Sequence, residues 1–133
     1  MQPPDERIQI AASEDLVTLR RAVRERATAL GFGHTDQVRL VTAASELGRN
    51  IVLYAGRGFA DLATVSAKGR RGLRICFVDE GQGIDDIELA LKDGYTSGRG
   101  LGKGLPGARR LVDEFEITSA VGRGTVVTIT KWL

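Results

Sequence analysis

The sequence predicts an α+β two-layer sandwich in which a mixed, mostly antiparallel sheet carries helices on one face. Its 133 residues suit one domain, 1–133. Apolar residues repeat with a helical period in the first half, and the second half reads as two strand pairs joined by glycine turns. The resulting order is β, α, α, β, β, glycine loop, α, β, β. Because it lacks regular βαβ alternation, a purely parallel sheet is excluded.

The composition is that of an ordinary globular protein, with 42% hydrophobic and 27% charged residues. The net charge is +2 and both signs are interspersed, so no nucleic-acid partner is expected. Neither a signal-peptide core nor a membrane-spanning apolar run is visible, which predicts a cytoplasmic protein with no membrane contact. The single cysteine, Cys76, lies in the apolar run LRICFV and is expected to be a buried small hydrophobe.

The first two elements are a short strand and an amphipathic helix. Residues 6–12, ERIQIAA, alternate apolar and polar side chains, which predicts an edge strand. Ser13 is expected to cap a helix that ends at Gly31. Its core stripe is Leu16, Leu19, Val23, Ala27 and Leu30. The opposite face carries Arg20, Arg21, Arg24 and Arg26. Such a face is more typical of a solvated surface than of a docking site.

A second helix is predicted over residues 36–54, ended by Gly56 and Gly58. Its stripe is Leu40, Ala43, Ala44, Leu47, Ile51 and Tyr54. A shorter helix is predicted over residues 105–113. The strands read as DLATVSAKG (61–69), GLRICFVDE (72–80), EFEITSAVG (114–122) and GTVVTITKW (124–132). They form two hairpins, one on each side of the glycine segment and the short helix.

Two polar residues stand at the edge of the second helix's apolar stripe. Glu46 and Asn50 are spaced i, i+4, so they project about 40° apart and converge on one object. Gly48 between them costs about 0.5 to 1 kcal/mol relative to Ala. The pair alone is also typical of a plain polar helix border, but residues that suit a helix poorly indicate a site.

A second irregularity is DEGQG, residues 79–83, directly after a predicted strand. Asp79 would lie where the strand ends, and the two glycines allow a sharp turn and the close approach of a ligand to the backbone. The pattern also occurs in ordinary turns, so by itself it identifies no ligand.

The segment 94–107, GYTSGRGLGKGLPG, contains six glycines. A Walker A loop is excluded because Lys103 is followed by Gly104 rather than by Ser or Thr. Residues 102–107 match G-x-G-x-x-G, but no strand precedes them, as a dinucleotide-binding fold requires. A linker is disfavoured because a single domain has nothing to join at this point.

What remains is a loop whose backbone N–H groups are free to face an anion. Arg99 and Lys103 add positive charge. Pro106 fits the first turn of the next helix, whose N-terminus favours anions. The sequence therefore predicts a phosphate-binding loop that moves.

Four motifs in this order resemble those of the GHKL ATPase and kinase superfamily, whose nucleotide-binding domain is the Bergerat fold. Residues 46–50 resemble its N-box and residues 79–83 its G1 box, D-x-G-x-G. Residues 100–104 resemble its second glycine box and residues 124–125 its last motif. Each motif is weak alone, but together they are specific. The resemblance implies an ATP-binding domain.

The resemblance also implies a role for each motif residue. Asn50 would offer its amide oxygen to Mg²⁺, and Glu46 would be the general base that activates the nucleophile. Asp79 would accept a hydrogen bond from the adenine amino group, with Thr125 assisting and Gly83 against the ring. The remaining predicted nucleotide-binding residues, including the glycines that cover the phosphates, are Gly81, Arg99, Gly100, Gly102, Lys103 and Gly104.

Within the superfamily, SELGRNIVLYAGRG, DEGQGI, DGYTSG and GLGKGLPGARRLVDEFEI resemble the RsbT-like stressosome switch kinases. These are stand-alone serine/threonine protein kinases. One departure is Gly48, where alanine is usual. The resemblance implies phosphorylation of Ser or Thr on a STAS-domain scaffold or antagonist protein. It also implies a change of partner that activates a PP2C-type phosphatase in a bacterial stress-signalling cascade.

Two alternatives stay open. The first is an anti-sigma factor of the same fold, which would bind a sigma factor and phosphorylate an anti-anti-sigma factor. The second is a non-enzymatic, ATP-gated adaptor. The only histidine, His34, lies near a helix start, where a solvated or capping role is expected rather than phosphoacceptance.

Overall fold

The structure is a computed structural model that describes residues 4–81, 83 and 104–133. The strands are β1 (Glu6–Ile10), β2 (Gly58–Ala67), β3 (Arg70–Asp79), β4 (Glu114–Ala120) and β5 (Gly124–Trp132). The helices are α1 (Ser13–Leu30), α2 (His34–Asn50) and α3 (Leu105–Leu111), and a π-helix, Ile51–Ala55, continues α2. Every predicted helix and strand is present, and their ends shift by up to three residues when the π-helix is counted with α2.

The five strands form one sheet in the order β1-β2-β3-β5-β4. All four pairs of neighbours are antiparallel, so the described sheet has no parallel pair. Both predicted hairpins are confirmed, and β1 is an edge strand as predicted. Side chains of β3 alternate between buried and partly exposed, with Leu73, Ile75 and Phe77 in a core shared with the helices. The predicted α+β fold is confirmed.

The first helix begins differently from the prediction. Ser13 is the first helical residue and Ala12 holds the N-cap position, so the prediction of a Ser13 cap is wrong. The carboxylate of Asp15 accepts hydrogen bonds from the N–H groups of Ala11, at 2.8 Å, and Ala12, at 3.0 Å. An acid in the first turn thus satisfies the backbone donors that precede the helix. Gly31 ends the helix in the left-handed region, at φ 96°, as predicted.

The arginine face of α1 is only partly a solvated surface. Arg21 and Arg24 are exposed, but Arg26 pairs with Asp5 at 3.5 Å and Glu6 at 3.3 Å. Arg20 is half-buried and lines a cavity between α1 and α2. The prediction that this face is a solvated surface is therefore confirmed for Arg21 and Arg24 but not for Arg20 and Arg26.

The cysteine is less buried than its apolar neighbours suggest. Cys76 is half-buried on the sheet face away from the helices, where the Thr128 hydroxyl donates to its Sγ at 3.5 Å. The prediction of a core thiol is wrong because β3 alternates and places Ile75 and Phe77, not Cys76, in the core. No helix in the described part of the chain is long and apolar enough to cross a membrane.

Gly48 lies where α1 crosses α2. A Cβ atom on it would come within 2.7 Å of Leu19 Cδ2 and 2.9 Å of Leu16 Cδ2. Both leucines belong to the buried stripe of α1. The glycine that weakens α2 locally thus permits close packing of the two helices.

We expect Gly48→Val to lower the free energy of unfolding by about 2 kcal/mol, because its methyl groups would overpack the contact with Leu16 and Leu19. Urea denaturation measures this change. The matched control is Gly107→Val in α3, since a Cβ at that helical glycine has no neighbour within 4 Å. It should change stability by no more than about 0.5 kcal/mol. Equal losses at both positions would contradict the packing explanation.

The predicted second helix changes type at its functional end. The α-helical pattern stops at Asn50 and the chain continues as a π-helix to Ala55. The N–H of Gly56 donates to the carbonyl of Ile51 at 2.8 Å and ends the turn at φ 88°. Short π segments are rare and frequent at functional sites. At the other end, His34 is exposed as the first helical residue, with Gly33 in the cap position.

Candidate nucleotide-binding site

The carboxylate of Asp79 lies at the end of β3, the middle strand of the sheet. It accepts hydrogen bonds from the backbone N–H of Gly81, at 2.9 Å, and from that of Thr125 on β5. Burial raises the pKa of Asp79 above the ordinary value, against the lowering effect of these two N–H donors. The strand end therefore holds a partly buried carboxylate, which suits recognition of a hydrogen-bond donor on a ligand.

The glycines around Asp79 permit close backbone packing. A Cβ on Gly81 would lie 2.8 Å from Cβ of Ala55, the last residue of the π-helix. A Cβ on Gly83 would collide with the carbonyl oxygen of Ala120, and one on Gly124 with that of Asp79. Gly81 thus packs against the π-helix, and Gly83 packs against the end of β4. The predicted contact of Gly83 with an adenine ring stays a prediction.

Thr125, predicted to assist Asp79, is 9% exposed at the start of β5. Its Oγ1 lies 2.8 Å from Oγ of Ser119 on β4, and the Ser119 hydroxyl also lies 2.9 Å from the carbonyl oxygen of Gly124, to which it donates. Ser119 thus fixes the Thr125 hydroxyl, while the backbone N–H of the same Thr125 donates to the Asp79 carboxylate. Reasoning from the sequence missed Ser119, although its register opposite Thr125 across the predicted hairpin was a usable signal.

Glu46 and Asn50 are both half-buried on α2, at the border of the core as predicted. Asn50 is the last α-helical residue before the π-helix, whose other end packs on the Asp79 turn. Glu46 lies against Gly104, the residue before α3: a Cβ on Gly104 would be 2.6 Å from Oε2 of Glu46. The structure thus joins Asp79, Gly81, Gly83 and Thr125 in one cluster and Glu46 with Gly104 in another.

Glu46 also faces a surface cavity of about 310 Å³ between α1 and the end of α2. Arg20 and Arg49 line this cavity beside it, and Leu53 on its rim is 55% exposed. From the sequence, Arg20 was recognised only as part of the arginine face of α1 and Arg49 was not singled out, because the two converge only when α1 packs on α2. Arg99, Gly100, Gly102 and Lys103, the other predicted ligands, lie outside the described residues.

Asn50 and Glu46 carry side-chain oxygen atoms, the type of ligand that Mg²⁺ prefers. The described residues contain no group of three or more His, Cys, Asp or Glu that could hold a metal. Mg²⁺ held between protein and phosphates needs only one or two protein oxygens, since water and phosphate supply the rest. The Asn50 amide oxygen, one helical turn from the Glu46 carboxylate, meets that requirement.

The pKa of Asp79 predicts a pH dependence of stability. Because burial raises this pKa, the folded protein keeps the proton at pH values where the unfolded chain has released it. Stability contributed by protonated Asp79 is present below the unfolded pKa, about 3.9, and is lost as pH rises through the raised value. The Tm of the wild type relative to Asp79→Asn should fall across that window. Nucleotide-free thermal melts at several pH values test this, and parallel curves for the two proteins would contradict it.

An antiparallel sheet whose middle strand ends in a partly buried acid, packed with a helix that carries Glu46 and Asn50, defines a nucleotide-binding domain of the GHKL class. The comparisons with known proteins agree. The chain matches the histidine kinase-like ATPase domain over residues 10–131. It is 46% identical to serine/threonine-protein kinase RsbT of Bacillus subtilis over 95% of both chains. It is 32% identical to an anti-sigma F factor of Thermoanaerobacter, over 69% of this chain and 67% of that protein.

Solved structures show the same fold. The RsbU and RsbW domains of a Mycobacterium tuberculosis protein superpose with a TM-score of 0.66 at 25% identity, over 96% of this chain and 32% of that one. The mycobacterial sensor histidine kinase MprB superposes with a TM-score of 0.59 at 15% identity, over 96% of both chains. The chain therefore belongs to the histidine kinase-like ATPase domain family, in the group that includes serine/threonine-protein kinase RsbT. The predicted resemblance is confirmed, and with it ATP as the nucleotide.

Proposed function

We propose that this chain is a Mg²⁺-dependent serine/threonine protein kinase, a single domain over residues 1–133, that phosphorylates a STAS-domain protein. The observation that carries the proposal is the position of Glu46. Its carboxylate lies against Gly104, and Glu46 also lines the surface cavity between α1 and α2. Gly104 is one of the glycines predicted to cover the phosphates, and the cavity is open to the surface. A general base for phosphate transfer to a protein suits this position, because it must contact the incoming hydroxyl while facing the nucleotide.

Each residue of the site has a task in this reaction. Asp79 would accept a hydrogen bond from the adenine amino group, with Thr125 and Ser119 supporting its position. Glu46 would orient the Ser or Thr hydroxyl of the substrate and take its proton as that oxygen bonds to the γ-phosphorus of ATP and the bond from this phosphorus to the leaving ADP breaks. Bound Mg²⁺, held by Asn50, would neutralise charge on the phosphates. Most of the catalytic gain then comes from positioning and charge neutralisation.

The similarity to RsbT supports both the kinase activity and the choice of partners. The identity is 46% over 95% of both chains. We propose that the chain switches from a STAS-domain substrate to a PP2C-type phosphatase, which it activates, and that it acts in the cytoplasm. The anti-sigma relatives are consistent with a protein that exchanges partners.

The test is a transfer assay with purified protein, labelled ATP and STAS-domain proteins encoded in the same genome. We expect label on Ser or Thr of one of them, formed together with an equal amount of ADP and abolished by EDTA. Binding of the PP2C-type phosphatase should increase after transfer. Absence of label on every STAS-domain protein, with nucleotide binding intact, would overturn the proposal.

One observation favours a second candidate, an anti-sigma factor of the same fold. The chain is 32% identical to an anti-sigma F factor over 69% of its length. Such a protein would retain a sigma factor in the presence of ADP or ATP. Capture of a purified sigma factor with affinity above that for any STAS-domain protein would support this candidate over the first.

A further inference from the structure

Gly104 precedes α3 directly and lies beside the proposed general base. A Cβ on this residue would come within 2.6 Å of Oε2, 3.4 Å of Cβ and 3.6 Å of Cδ of Glu46. The carboxylate and the stem of Glu46 therefore run along the Cα of Gly104. Any side chain at position 104 would occupy space that the Glu46 side chain now fills.

The backbone at Gly104 has little freedom to retreat. The N–H of Ala108 donates to the carbonyl of Gly104 at 2.9 Å, which fixes the first turn of α3. Leu105 and Ala108, which are 3% and 0% exposed, anchor that turn in the core. Moving Gly104 away from Glu46 would disturb this packing, whereas a glutamate side chain can rotate. The carboxylate is thus the group that would give way.

We propose that Gly104 is a positioning residue for Glu46: its lack of a side chain sets where the carboxylate of the base lies. This inference rests on the proposed kinase function, and it differs from the role of a glycine that only contacts phosphate. Displacing a catalytic group by about 1 Å can cost about 100-fold in rate. The space left by the absent side chain of Gly104 therefore controls the rate of phosphate transfer rather than the affinity for nucleotide.

Gly104→Ala tests the proposal in a transfer assay that resolves kcat from the KM for ATP. We expect kcat to fall by at least about tenfold while the ATP affinity changes by less than about threefold. The matched control is Gly107→Ala in the same helix, where a Cβ meets nothing within 4 Å. Its kcat should stay within about twofold of the wild type. A loss of affinity as large as the loss of kcat would overturn the proposal.

Backbone strain is a competing cause, because Gly104 has φ 86°, in the left-handed region. Asn tolerates that region better than Ala but carries a Cβ as well. If clearance of Glu46 matters, Gly104→Asn should lower kcat as much as Gly104→Ala. Recovery of wild-type kcat in Gly104→Asn would assign the effect to strain and overturn the proposal.

A double-mutant cycle identifies Glu46 as the group that moves. Glu46→Asp shortens the side chain by one methylene and withdraws it from position 104. In that background Gly104→Ala should change kcat by less than about threefold, so the two effects are strongly non-additive. Additive effects would overturn the positioning role while leaving the kinase function intact. A wild-type protein that transfers no phosphate to any STAS-domain protein would instead contradict the proposed function itself.

Discussion

Glu46→Gln is expected to lower the rate of phosphate transfer to a STAS-domain protein by about 1,000-fold, the middle of the range for a general base. The amide keeps the size of the side chain, so its contact with Gly104 and the edge of the α1–α2 cavity is preserved. It cannot accept the proton of the substrate hydroxyl. Nucleotide affinity should stay within about threefold, because Glu46 is not proposed to bind ATP.

Single-turnover transfer with labelled ATP measures the rate, and calorimetry measures the affinity. The matched control is Glu116→Gln, an exposed glutamate on β4 that is part of neither the core nor the proposed site. It should transfer at the wild-type rate. Normal transfer by Glu46→Gln would show that another group activates the hydroxyl and would refute the mechanism.

Asp79→Asn is expected to weaken the binding of ATP and ADP by at least about 100-fold. The reason is that hydrogen-bond donors around position 79 would lose the carboxylate that accepts from them. The Asp79 carboxylate already accepts hydrogen bonds from the N–H groups of Gly81 and Thr125. The adenine amino group would be a third donor. An amide has one acceptor oxygen and presents an NH₂ group to the remaining donors, so it cannot satisfy all three.

Calorimetry with ADP measures this loss without phosphate transfer, and a nucleotide-free thermal melt checks that the variant is folded. Asp61→Asn is the matched control. Asp61 lies on β2 and forms an ion pair with Arg7 at 2.7 Å. It lies opposite Cys76 of β3, on the sheet face away from the helices. Its replacement should leave nucleotide affinity unchanged. Unchanged affinity in Asp79→Asn would contradict the assignment of the nucleotide site under every functional alternative.

The sequence was sufficient for the order of elements and the core. The period of Leu16, Leu19 and Val23 predicted the buried face of α1, and all three are buried. Alternation and glycine turns predicted both hairpins within a mixed, mostly antiparallel sheet, and the described sheet is antiparallel throughout. These patterns are local, because a helix or strand must place its apolar residues on one face wherever it packs. For the same reason Glu46 and Asn50 could be placed at the border of the core.

Other predictions failed where the structure contains a contact that rules for capping and helix propensity do not consider. Ser13 has the composition of an N-cap, but Asp15 takes the preceding N–H groups instead. The second helix was predicted as one α-helix, yet its end is a π-helix whose last residue packs on Gly81. Gly48 was a defect by helix propensity alone and becomes a packing requirement once Leu19 lies against it.

The sequence by itself determined the class of fold and the family and supplied the candidate site residues, because motif residues and periodic patterns are properties of neighbouring positions. Only the tertiary structure decided which of those residues meet. It placed Ser119 on Thr125, Arg20 and Arg49 around the cavity that Glu46 faces, and Gly104 against the Glu46 carboxylate. Contacts between α2 and α3, or between α1 and α2, join residues far apart in the chain, and no local pattern records how closely two elements approach.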